Sequence, residues 1–399
     1  MSKFFDALET RSADQRADDL AKLLPLQIGA AQALSGNARL DGFDASMIQS
    51  KEGLAQLPVL RKSDLMGMQE RDYLGGLVTA TPQQVFQSPG PIYEPGYKDR
   101  DWWGFGRFLH ALGIGAGDIV QNCFAYHFTP AGMMFENGAE AVGASVFPAG
   151  TGQTELQARA AADLGVTVYA GTPDYLKVIL EAADAASLDL SKIKAAAVSG
   201  GPLFPQLRDY YTDRGITCRQ CYATADLGHI AYESEAMDGM IVDEKVLVEI
   251  VRPGTGDPVP DGEVGEVVVT TLKPEYPLIR FATGDLSAVL PGQSPCGRTN
   301  TRVVGWRGRA DQATKVKGMF VRPEQVADFV GRHHDIQKCR VEVSHDGSTD
   351  VMVLKLETTS DQDFTDSIRD VFKLRASVEK CDIGSLPNDG LVIADLREI

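Results

Sequence analysis

The sequence predicts an α/β protein: a large N-terminal domain of parallel and mixed sheets with a β-rich subdomain, followed by a small α+β C-terminal domain. Three observations support this prediction. Between residues 118 and 199, short apolar runs alternate with helix-forming stretches of about ten residues, which is typical of βαβ units. Between residues 241 and 290, β-rich runs are joined by turns of Gly, Pro and Asp. After residue 311, short strand-like runs surround one helix-like stretch.

Each element is predicted from its local pattern. Apolar residues recur at helical spacing up to about residue 75, so this segment is predicted to be helical. In the parallel sheet we predict strands at 118–124, 144–148, 166–170 and 195–199, and helices at 155–164 and 175–183. Antiparallel strands are predicted at 246–251 and 266–272. In the C-terminal part we predict strands at 340–344, 351–356 and 378–383 and a helix at 364–374. The two domains are predicted to comprise residues 1–310 and 311–399.

The composition excludes several classes of partner. The chain has 399 residues, of which 43% are hydrophobic and 24% charged, as in an ordinary globular protein. Its net charge of −16 argues against nonspecific binding to nucleic acid or to an anionic membrane, because both require a basic surface. A nucleotide substrate is not excluded, since its site needs only local donors. We therefore expect neither nucleic acid nor membrane as a partner.

The N-terminal and cysteine patterns predict a cytoplasmic protein. Residues 1–20 are charged and lack the apolar segment of a signal peptide, and no apolar run reaches the length of about 18 residues that a transmembrane helix needs. Six cysteines lie far apart, and Cys218 and Cys221 form a single C-x-x-C pair. We therefore expect reduced thiols rather than disulfides or a zinc ribbon.

Two segments that follow predicted strands carry residue types that suit a nucleotide. Residues 199–203 read Ser-Gly-Gly-Pro-Leu after a buried strand, where parallel sheets bind ligands and where glycines let a flat ring approach the backbone. The alternative is a plain strand-to-helix turn. Residues 220–226 place Tyr222 beside small residues and Asp226, a combination that can stack on a base and hold Mg²⁺. The alternative is a packed aromatic ring and a surface carboxylate.

Two later segments add charged groups. Asp285 follows Thr-Gly at what we predict to be a strand end, where a carboxylate can accept both hydroxyls of a ribose. The alternative is an ordinary turn Asp. Arg309 lies in a Gly-Arg-Ala-Asp segment shortly before Lys315 and Lys317, which suits a ligand contact at a hinge. The alternative is a solvated basic turn.

In order and spacing, these segments resemble the adenylate-forming (acyl-CoA synthetase) superfamily, most closely its phenylacetate–CoA ligase branch. The resemblance extends from about Pro58 over nearly the whole remaining chain. Matching motifs are found at 122–134, 136–143, 146–154, 171–175, 279–285, 295–299 and 308–311.

The resemblance implies a two-step reaction with ATP, Mg²⁺ and coenzyme A as cofactors. A small-molecule carboxylic acid attacks the α-phosphate of ATP, which gives an acyl-adenylate and pyrophosphate. The thiolate of coenzyme A then displaces AMP to give the thioester. The resemblance also implies that the C-terminal domain is mobile and rotates between the two steps.

The resemblance assigns roles to individual residues of this chain. Asp226 stands where the family has a Mg²⁺-binding Glu, Tyr222 is expected to stack on adenine, and Asp285 to bind the ribose. The implied nucleotide-binding residues are Ser199, Gly200, Gly201, Pro202, Tyr222, Ala223, Thr224, Asp285 and Arg309. The implied catalytic residues are Asp226, Arg309 and Lys317, and the implied hinge is Asp311. The expected acyl pocket consists of Phe124, Tyr126, His127, Phe128 and Thr129. Tyr126 and His127 are equally compatible with a place in the core.

The chain departs from the family pattern at the phosphate loop and at the last motif. The family's loop is rich in Ser, Thr and Gly and ends in Lys, whereas residues 87–96 here contain three prolines and Glu94. Proline has no N–H to donate to a phosphate. Leu391 stands where the family has a Lys whose ammonium bridges the carboxylate and the α-phosphate. This loss is expected to weaken adenylation by roughly 3 kcal/mol, unless Lys315 or Lys317 substitutes.

Two further departures concern phosphate and zinc. Ala225 replaces a Ser or Thr that contacts the phosphate in the family, although Thr224 is adjacent. Some relatives hold a structural zinc with Cys and His. Here Cys296 is kept, but Ser234 and Ser294 stand at what resemble ligand positions, so we predict no zinc.

The sequence therefore favours an ATP-dependent acid–CoA ligase for an aromatic or other small hydrophobic carboxylic acid. One alternative is a nucleotide-binding relative with impaired adenylation that acts as a regulator or scaffold, which Leu391 and the proline-containing loop favour. The other is an acyltransferase that uses preactivated acyl groups. A homodimer is a further option that the resemblance implies.

Overall fold

The structure, a computed structural model, describes residues 2–201, 203–310, 312, 314–317, 319–345, 349–387 and 391–397. The chain divides into two compact units. The first comprises Met1–Val248, Val269–Phe281 and Leu290–Gly305, and the second comprises Glu249–Val268, Ala282–Val289 and Trp306–Ile399. The predicted α/β class is confirmed. The predicted domain boundary between residues 310 and 311 stays a prediction.

The N-terminal segment is only partly helical. It contains α1 (Ala13–Gln32), α2 (Lys51–Leu54), α3 (Lys62–Gln69), a short strand β1 (Leu60–Arg61) and 3₁₀ turns at Ala7–Thr10, Ser35–Leu40 and Ala45–Met47. Ser12 begins α1, because its hydroxyl accepts the Gln15 N–H at 3.1 Å. The apolar face of α1 packs in a core with Leu247 and Ile279. The prediction of helix up to residue 75 is wrong where Gly42 adopts a φ of +84°, a backbone angle outside the helical region.

Strands and helices alternate along the rest of the first unit, after a hairpin of β2 (Gln84–Ser88) and β3 (Ile92–Gly96). The strands are β4 (Ile119–Asn122), β5 (Ser145–Phe147), β6 (Val168–Gly171), β7 (Ala195–Val198), β8 (Thr217–Thr224), β9 (Gly228–Glu233) and β10 (Met240–Val242). The helices are α4 (Gly106–Ala111), α5 (Ala131–Ala141), α6 (Thr154–Leu164), α7 (Pro173–Ala185) and α8 (Pro205–Asp213). The βαβ elements predicted from the sequence are confirmed within two residues at each end.

The following segment is β-rich, as predicted. It contains β11 (Val246–Val251), β12 (Gly265–Thr271), β13 (Phe281–Ser287), β14 (Val289–Leu290) and β15 (Arg302–Val303). Strands β1, β13, β12 and β11 form a four-stranded sheet in that order. The sequence-based prediction ends a strand at Thr-Gly before Asp285, whereas β13 continues through these residues to Ser287.

A nine-stranded sheet has the order β14-β15-β10-β9-β8-β7-β6-β4-β5. Neighbours from β5 to β8 run parallel, whereas β9 is antiparallel to both β8 and β10. Strands β6 and β7 are buried over their whole length, since Val-Tyr-Ala-Gly and Ala-Ala-Ala-Val are apolar throughout and fit a sheet covered on both faces. The carboxyl ends of β4 to β8 therefore share one edge of the sheet.

The end of the chain, within the second unit, forms the predicted α+β module. It contains β16 (Thr314–Val316), β17 (Met319–Val321), α9 (Pro323–Gly331), β18 (Ile336–His345), β19 (Asp350–Thr358), α10 (Thr365–Phe372), β20 (Ser377–Cys381) and β21 (Ile393–Asp395). Its main sheet has the order β20-β19-β18-β21 and packs on the helices through a core that includes Phe329, Leu354 and Phe372. Among the described residues, no helix is both long and apolar enough to span a membrane.

Candidate active site

The glycine turn after β7 lies beside the first of the predicted acyl-pocket residues. Gly200 has a φ of +73°, a conformation that side-chain-bearing residues rarely adopt. A Cβ atom added to it would lie 3.8 Å from both Phe124 Cε1 and Thr172 Cγ2. These three residues follow β7, β4 and β6, so the common direction of the parallel strands brings them together. Gly201 approaches the ring of Pro173, since its added Cβ would lie 3.5 Å from Pro173 Cδ.

Strand β8 supplies the second predicted nucleotide segment. The Ser199 hydroxyl donates to the Cys221 carbonyl at 3.0 Å, which ties the end of β7 to β8. Tyr222 and Ala223 are half-buried and flank a bulge in the pairing of β8 with β9. Thr224 ends the strand, and its hydroxyl accepts the Leu227 N–H at 3.2 Å. The bulge interrupts the hydrogen bonding between β8 and β9 at Tyr222 and Ala223, which are predicted to bind the nucleotide.

Asp226 lies in the turn between β8 and β9 and is buried. Its side chain is 1% exposed, and Oδ2 accepts the Lys62 ammonium at 2.7 Å. Its Oδ1 has no hydrogen-bond partner in the described part of the chain. The alternative that Asp226 is a surface carboxylate is therefore wrong. One oxygen is neutralised by a lysine, while the other is left for a further ligand.

The segment predicted to replace the phosphate loop is a tight hairpin. Strands β2 and β3 pair from Gln84 with Gly96 to Ser88 with Ile92, so the connecting turn is residues 89–91. Glu94, on β3, is fully buried. Burial, and after it the nearby charge of Asp226, raise the pKa of Glu94 to about 8, although Ser88 and Lys62 act in the opposite direction.

The predicted acyl-pocket residues divide into a packed and an exposed group. Phe124 is buried and stacks on Phe135 with ring centroids 4.4 Å apart. The Tyr126 hydroxyl accepts the Asn122 amide at 2.7 Å, and burial together with the Glu136 carboxylate raises the pKa of Tyr126. His127 and Phe128 are exposed and Thr129 is half-buried. The alternative that His127 is a core residue is therefore wrong.

In the second unit, the side chains of Trp306 and Arg309 both donate to Asp285. Its Oδ1 accepts the Trp306 indole N–H at 3.1 Å and the Arg309 guanidinium at 3.0 Å. Backbone bonds from Ala310 to Gly284 at 2.7 Å and from Leu286 to Gly308 at 2.9 Å fix the two segments together. Asp285 lies inside β13, so its predicted position at a strand end is wrong. Gly284, with a φ of +73°, continues the strand instead of ending it.

The remaining predicted residues are placed as follows. Lys317 is exposed in the turn between β16 and β17, where its backbone N–H donates to Asp350 Oδ2 at 2.8 Å. Pro202 and Asp311 lie outside the described residues. Leu391 lines a cavity of about 310 Å³ in the second unit, together with residues of α9.

The residues considered as zinc ligands make hydrogen bonds to residues close to them in sequence. Ser294 donates to Cys296 Sγ at 3.0 Å, and the Ser234 hydroxyl accepts the Ala236 N–H at 3.3 Å. Within the described ranges, no three His, Cys, Asp or Glu residues are grouped so as to hold a metal ion. The expected absence of zinc stays a prediction.

Sequence reasoning missed Lys62 and Trp306. Lys62 pairs with Asp226 across 164 residues of sequence, and no local pattern signals such a contact. Trp306 offered a weak indication of a functional position, because a Trp that is exposed, as this one is, is unusual, and it lies only three residues before Arg309.

Comparison with known proteins agrees with this geometry. Residues 103–272 match the family model of AMP-binding enzymes. The chain is 30% identical over 336 residues to the phenylacetate–coenzyme A ligase of Aromatoleum evansii, covering 79% of this chain and 74% of that protein. It is also 30% identical over 341 residues to the phenylacetate–coenzyme A ligase of Escherichia coli K12, covering 79% and 76%. Its fold matches a 2-hydroxyisobutyryl-CoA ligase solved in the postadenylation state with R3-HIB-AMP, with a TM-score of 0.73 and 22% identity over 99% of this chain and 92% of that one. The chain therefore belongs to the AMP-binding, adenylate-forming enzymes, in the branch of the phenylacetate–coenzyme A ligases.

Proposed function

We propose that the protein is an ATP-dependent acid–CoA ligase that converts an aromatic or other small hydrophobic carboxylic acid to its acyl-adenylate and then to its CoA thioester. The observation that carries this proposal is the position of Gly200 beside Phe124, where a Cβ added to Gly200 would lie 3.8 Å from Phe124 Cε1. The backbone of Gly200, which leaves room for a flat base, lies next to the apolar ring of Phe124 where the strands β7 and β4 end. An adenylate joined to an apolar acyl group has both of these parts.

Two sets of residues are proposed to contact the nucleotide, and each is described within its own unit. In the first unit, the turn from Ser199 to Gly201 and the half-buried ring of Tyr222 would face the adenine. In the second unit, Asp285 would accept the ribose hydroxyls, with Arg309 beside it. Trp306 and Arg309 both donate to Asp285 Oδ1 and hold the carboxylate in place. Positioning of this kind is the main contribution an enzyme makes to phosphoryl and adenylyl transfer.

Magnesium fits the residues around Asp226. A buried carboxylate oxygen without a donor is a ligand that Mg²⁺ accepts, and Asp226 Oδ1 is such an oxygen within the described chain. When bound, Mg²⁺ would supply charge neutralisation for the phosphates. Lys62 would hold the Asp226 side chain in place through Oδ2.

Two features favour a second candidate function, an acyltransferase that accepts a preformed acyl-adenylate or acyl-CoA. The turn at 89–91 contains two prolines and so offers few N–H donors to a triphosphate. Leu391 carries no ammonium for the adenylation step. A regulator or scaffold would be a protein that has lost both adenylation and thioester formation.

We further infer a cytoplasmic location, because all six cysteines are free thiols. A homodimer is kept as a proposal on the basis of the family resemblance alone.

Calorimetric titration with Mg·ATP and with AMP tests the ligase proposal without a guess about the acid. Asp285→Ala is the matched variant, because it removes the proposed ribose acceptor and leaves the first unit unchanged. We expect binding that the variant loses, followed by release of AMP and formation of an acyl-CoA with a member of a panel of aryl and short-chain acids. Turnover of synthetic acyl-adenylate without turnover of ATP would favour the acyltransferase. Absence of binding to either nucleotide would refute the ligase proposal.

A further inference from the structure

The turn between β16 and β17 places a lysine in an uncommon backbone conformation. Val316 pairs with Met319, so residues 317–318 connect the two strands. Lys317 has a φ of +48°, in the left-handed region, where Gly, Asn and Asp are preferred in two-residue turns. Lys373 also has a positive φ, but it follows the last residue of α10, where a left-handed residue commonly ends a helix. Lys317 has no such helix end to explain its conformation.

Asp350, the first residue of β19, holds the backbone of this turn. Its Oδ2 accepts the Lys317 N–H at 2.8 Å. Lys317 is exposed, so water would satisfy the same N–H if the carboxylate were absent. The Lys317 N–H and, after it, the Arg397 guanidinium lower the pKa of Asp350, so the carboxylate is charged at neutral pH. The bond therefore fixes where the turn lies rather than rescuing a buried donor.

Arg397 holds Asp350 and connects it to two further strands. Its Nη1 donates to Asp350 Oδ1 at 3.0 Å. Its Nη2 donates at 2.9 Å to the hydroxyl of Thr314, the first residue of β16. Its Nε donates at 2.8 Å to Oδ1 of Asp395 on β21, which also accepts the Thr314 hydroxyl. One guanidinium thus fixes both the start of the β16–β17 hairpin and, through Asp350, its turn.

This network differs from the surface ion pairs of the same module. Arg332 pairs with Asp328 and with Asp370, and the three side chains are 44%, 51% and 59% exposed. The side chains of Asp350 and Arg397 are 19% and 23% exposed. Exposed ion pairs contribute little, whereas a guanidinium whose donors are shared among several acceptors fixes their geometry. The network is therefore suited to holding the turn in one position.

A lysine held in this way is suited to an anionic ligand. Its side chain is exposed, so packing does not explain a lysine in a strained turn, and strained residues are frequent at functional sites. We propose that Asp350 and Arg397 are positioning residues that hold Lys317, whose ammonium contacts a phosphate group of a substrate. A fixed backbone reduces the conformational freedom that the lysine loses on binding.

This inference rests on the proposed function for the source of the phosphate, which is the nucleotide or coenzyme A. Calorimetric titrations of the full-length protein with Mg·ATP and with coenzyme A distinguish the two sources. Lys317→Gln removes the charge but keeps most of the length, and should weaken the binding of one of these ligands by about tenfold, because a charge-assisted hydrogen bond is lost. That ligand carries the phosphate in question.

The positioning role is tested with a double variant. Asp350→Ala should weaken the binding of the same ligand by about fivefold, because the turn is no longer held. In the Lys317→Gln background, Asp350→Ala should cause no further loss, since Asp350 acts only through Lys317. Arg397→Lys, which keeps a cation beside Asp350, should bind more tightly than Arg397→Ala. Asp370→Ala, which breaks an exposed Asp–Arg pair of the same module, is the matched control and should bind like wild type.

Three results would overturn the proposal. The first is unchanged affinity of Lys317→Gln for both ligands, and the second is unchanged affinity of Asp350→Ala. The third is a further loss in the double variant, which would show a general structural defect. Asp285→Ala separates these failures from that of the proposed function. Nucleotide binding that only Asp285→Ala abolishes would refute the positioning role alone, whereas a wild type that binds neither ligand would refute both.

Discussion

Lys273 is expected to make the stability of the first unit depend on pH. It follows β12 and is buried, and its ammonium donates to the Leu227 carbonyl at 2.7 Å and lies 4.5 Å from the centroid of the Trp102 ring. Burial, and after it the charge of Lys245, lower the pKa of Lys273 from 10.5 to about 7. The groups that act in the opposite direction are Asp243, Asp101 and Glu275.

The sign and size of the effect follow from this pKa. Between pH 7 and pH 10.5 the unfolded lysine binds more protons than the folded one, so stability rises with pH over this range. Below pH 7 the full cost of the buried charge is present. The shift of the pKa from 10.5 to about 7 corresponds to at most about 5 kcal/mol, of which about 2 kcal/mol is recovered between pH 7 and pH 9.

Calorimetric unfolding of wild type and Lys273→Met at pH 7, 8 and 9 measures this effect. Methionine fills a similar volume without a charge, but it leaves the Leu227 carbonyl without its donor, so it destabilises by a constant amount. We expect the Tm of wild type to rise relative to that of the variant by about 4 °C from pH 7 to pH 9. Lys177→Met, at an exposed lysine of α7, should follow wild type at every pH. Parallel curves for wild type and Lys273→Met would show that the buried amine does not titrate in this range.

Three further predictions address the site and the core. Gly284→Ala places a Cβ 2.7 Å from Arg309 Nη2, so the guanidinium must leave Asp285; calorimetry should show AMP affinity reduced by about tenfold, and unchanged affinity would mean that this contact is dispensable. Leu391→Lys restores an ammonium to the last motif and should raise the rate of ATP–pyrophosphate exchange with a cognate acid; an unchanged rate would count against a missing lysine as the cause of weak adenylation. Arg298→Met removes the cation on the buried Glu9 carboxylate and should lower the free energy of unfolding by about 3 kcal/mol, measured by denaturant titration, whereas a change under about 1 kcal/mol would show that this ion pair contributes little to stability.

The parallel sheet could be predicted because its signal is local. The apolar runs that became β6 and β7 are buried on both faces, and the helices between them carry a clear apolar stripe. The full extent of strand β13 could not be predicted from its own residues. Its Thr-Gly reads as a turn, and only pairing with distant strands keeps it extended.

The candidate site was predictable to the extent that its residues lie in short motifs. Gly200, Asp226 and Asp285 were identified from the chain alone, as was the departure at Glu94. The partners of these residues were not, because Lys62 reaches Asp226 from an early helix and Trp306 reaches Asp285 across a loop. The burial of Glu94 could not be predicted either, because no neighbouring residue in the sequence indicates that its carboxylate is enclosed. Long-range contacts decide both properties, and a single sequence does not encode them in any local pattern.

The turn between β2 and β3 has a consequence for the entropy of ligand binding. A glycine-rich loop that closes over a phosphate loses about 1–2 kcal/mol of conformational freedom for each residue it fixes. Two of the three residues at 89–91 are prolines, whose φ is restricted near −65° whether or not a ligand is present. Little freedom therefore remains to be lost. A phosphate group that bound at this turn would meet a surface of fixed shape, and discrimination among ligands would then rest on how well they match that shape rather than on a loop that folds around them.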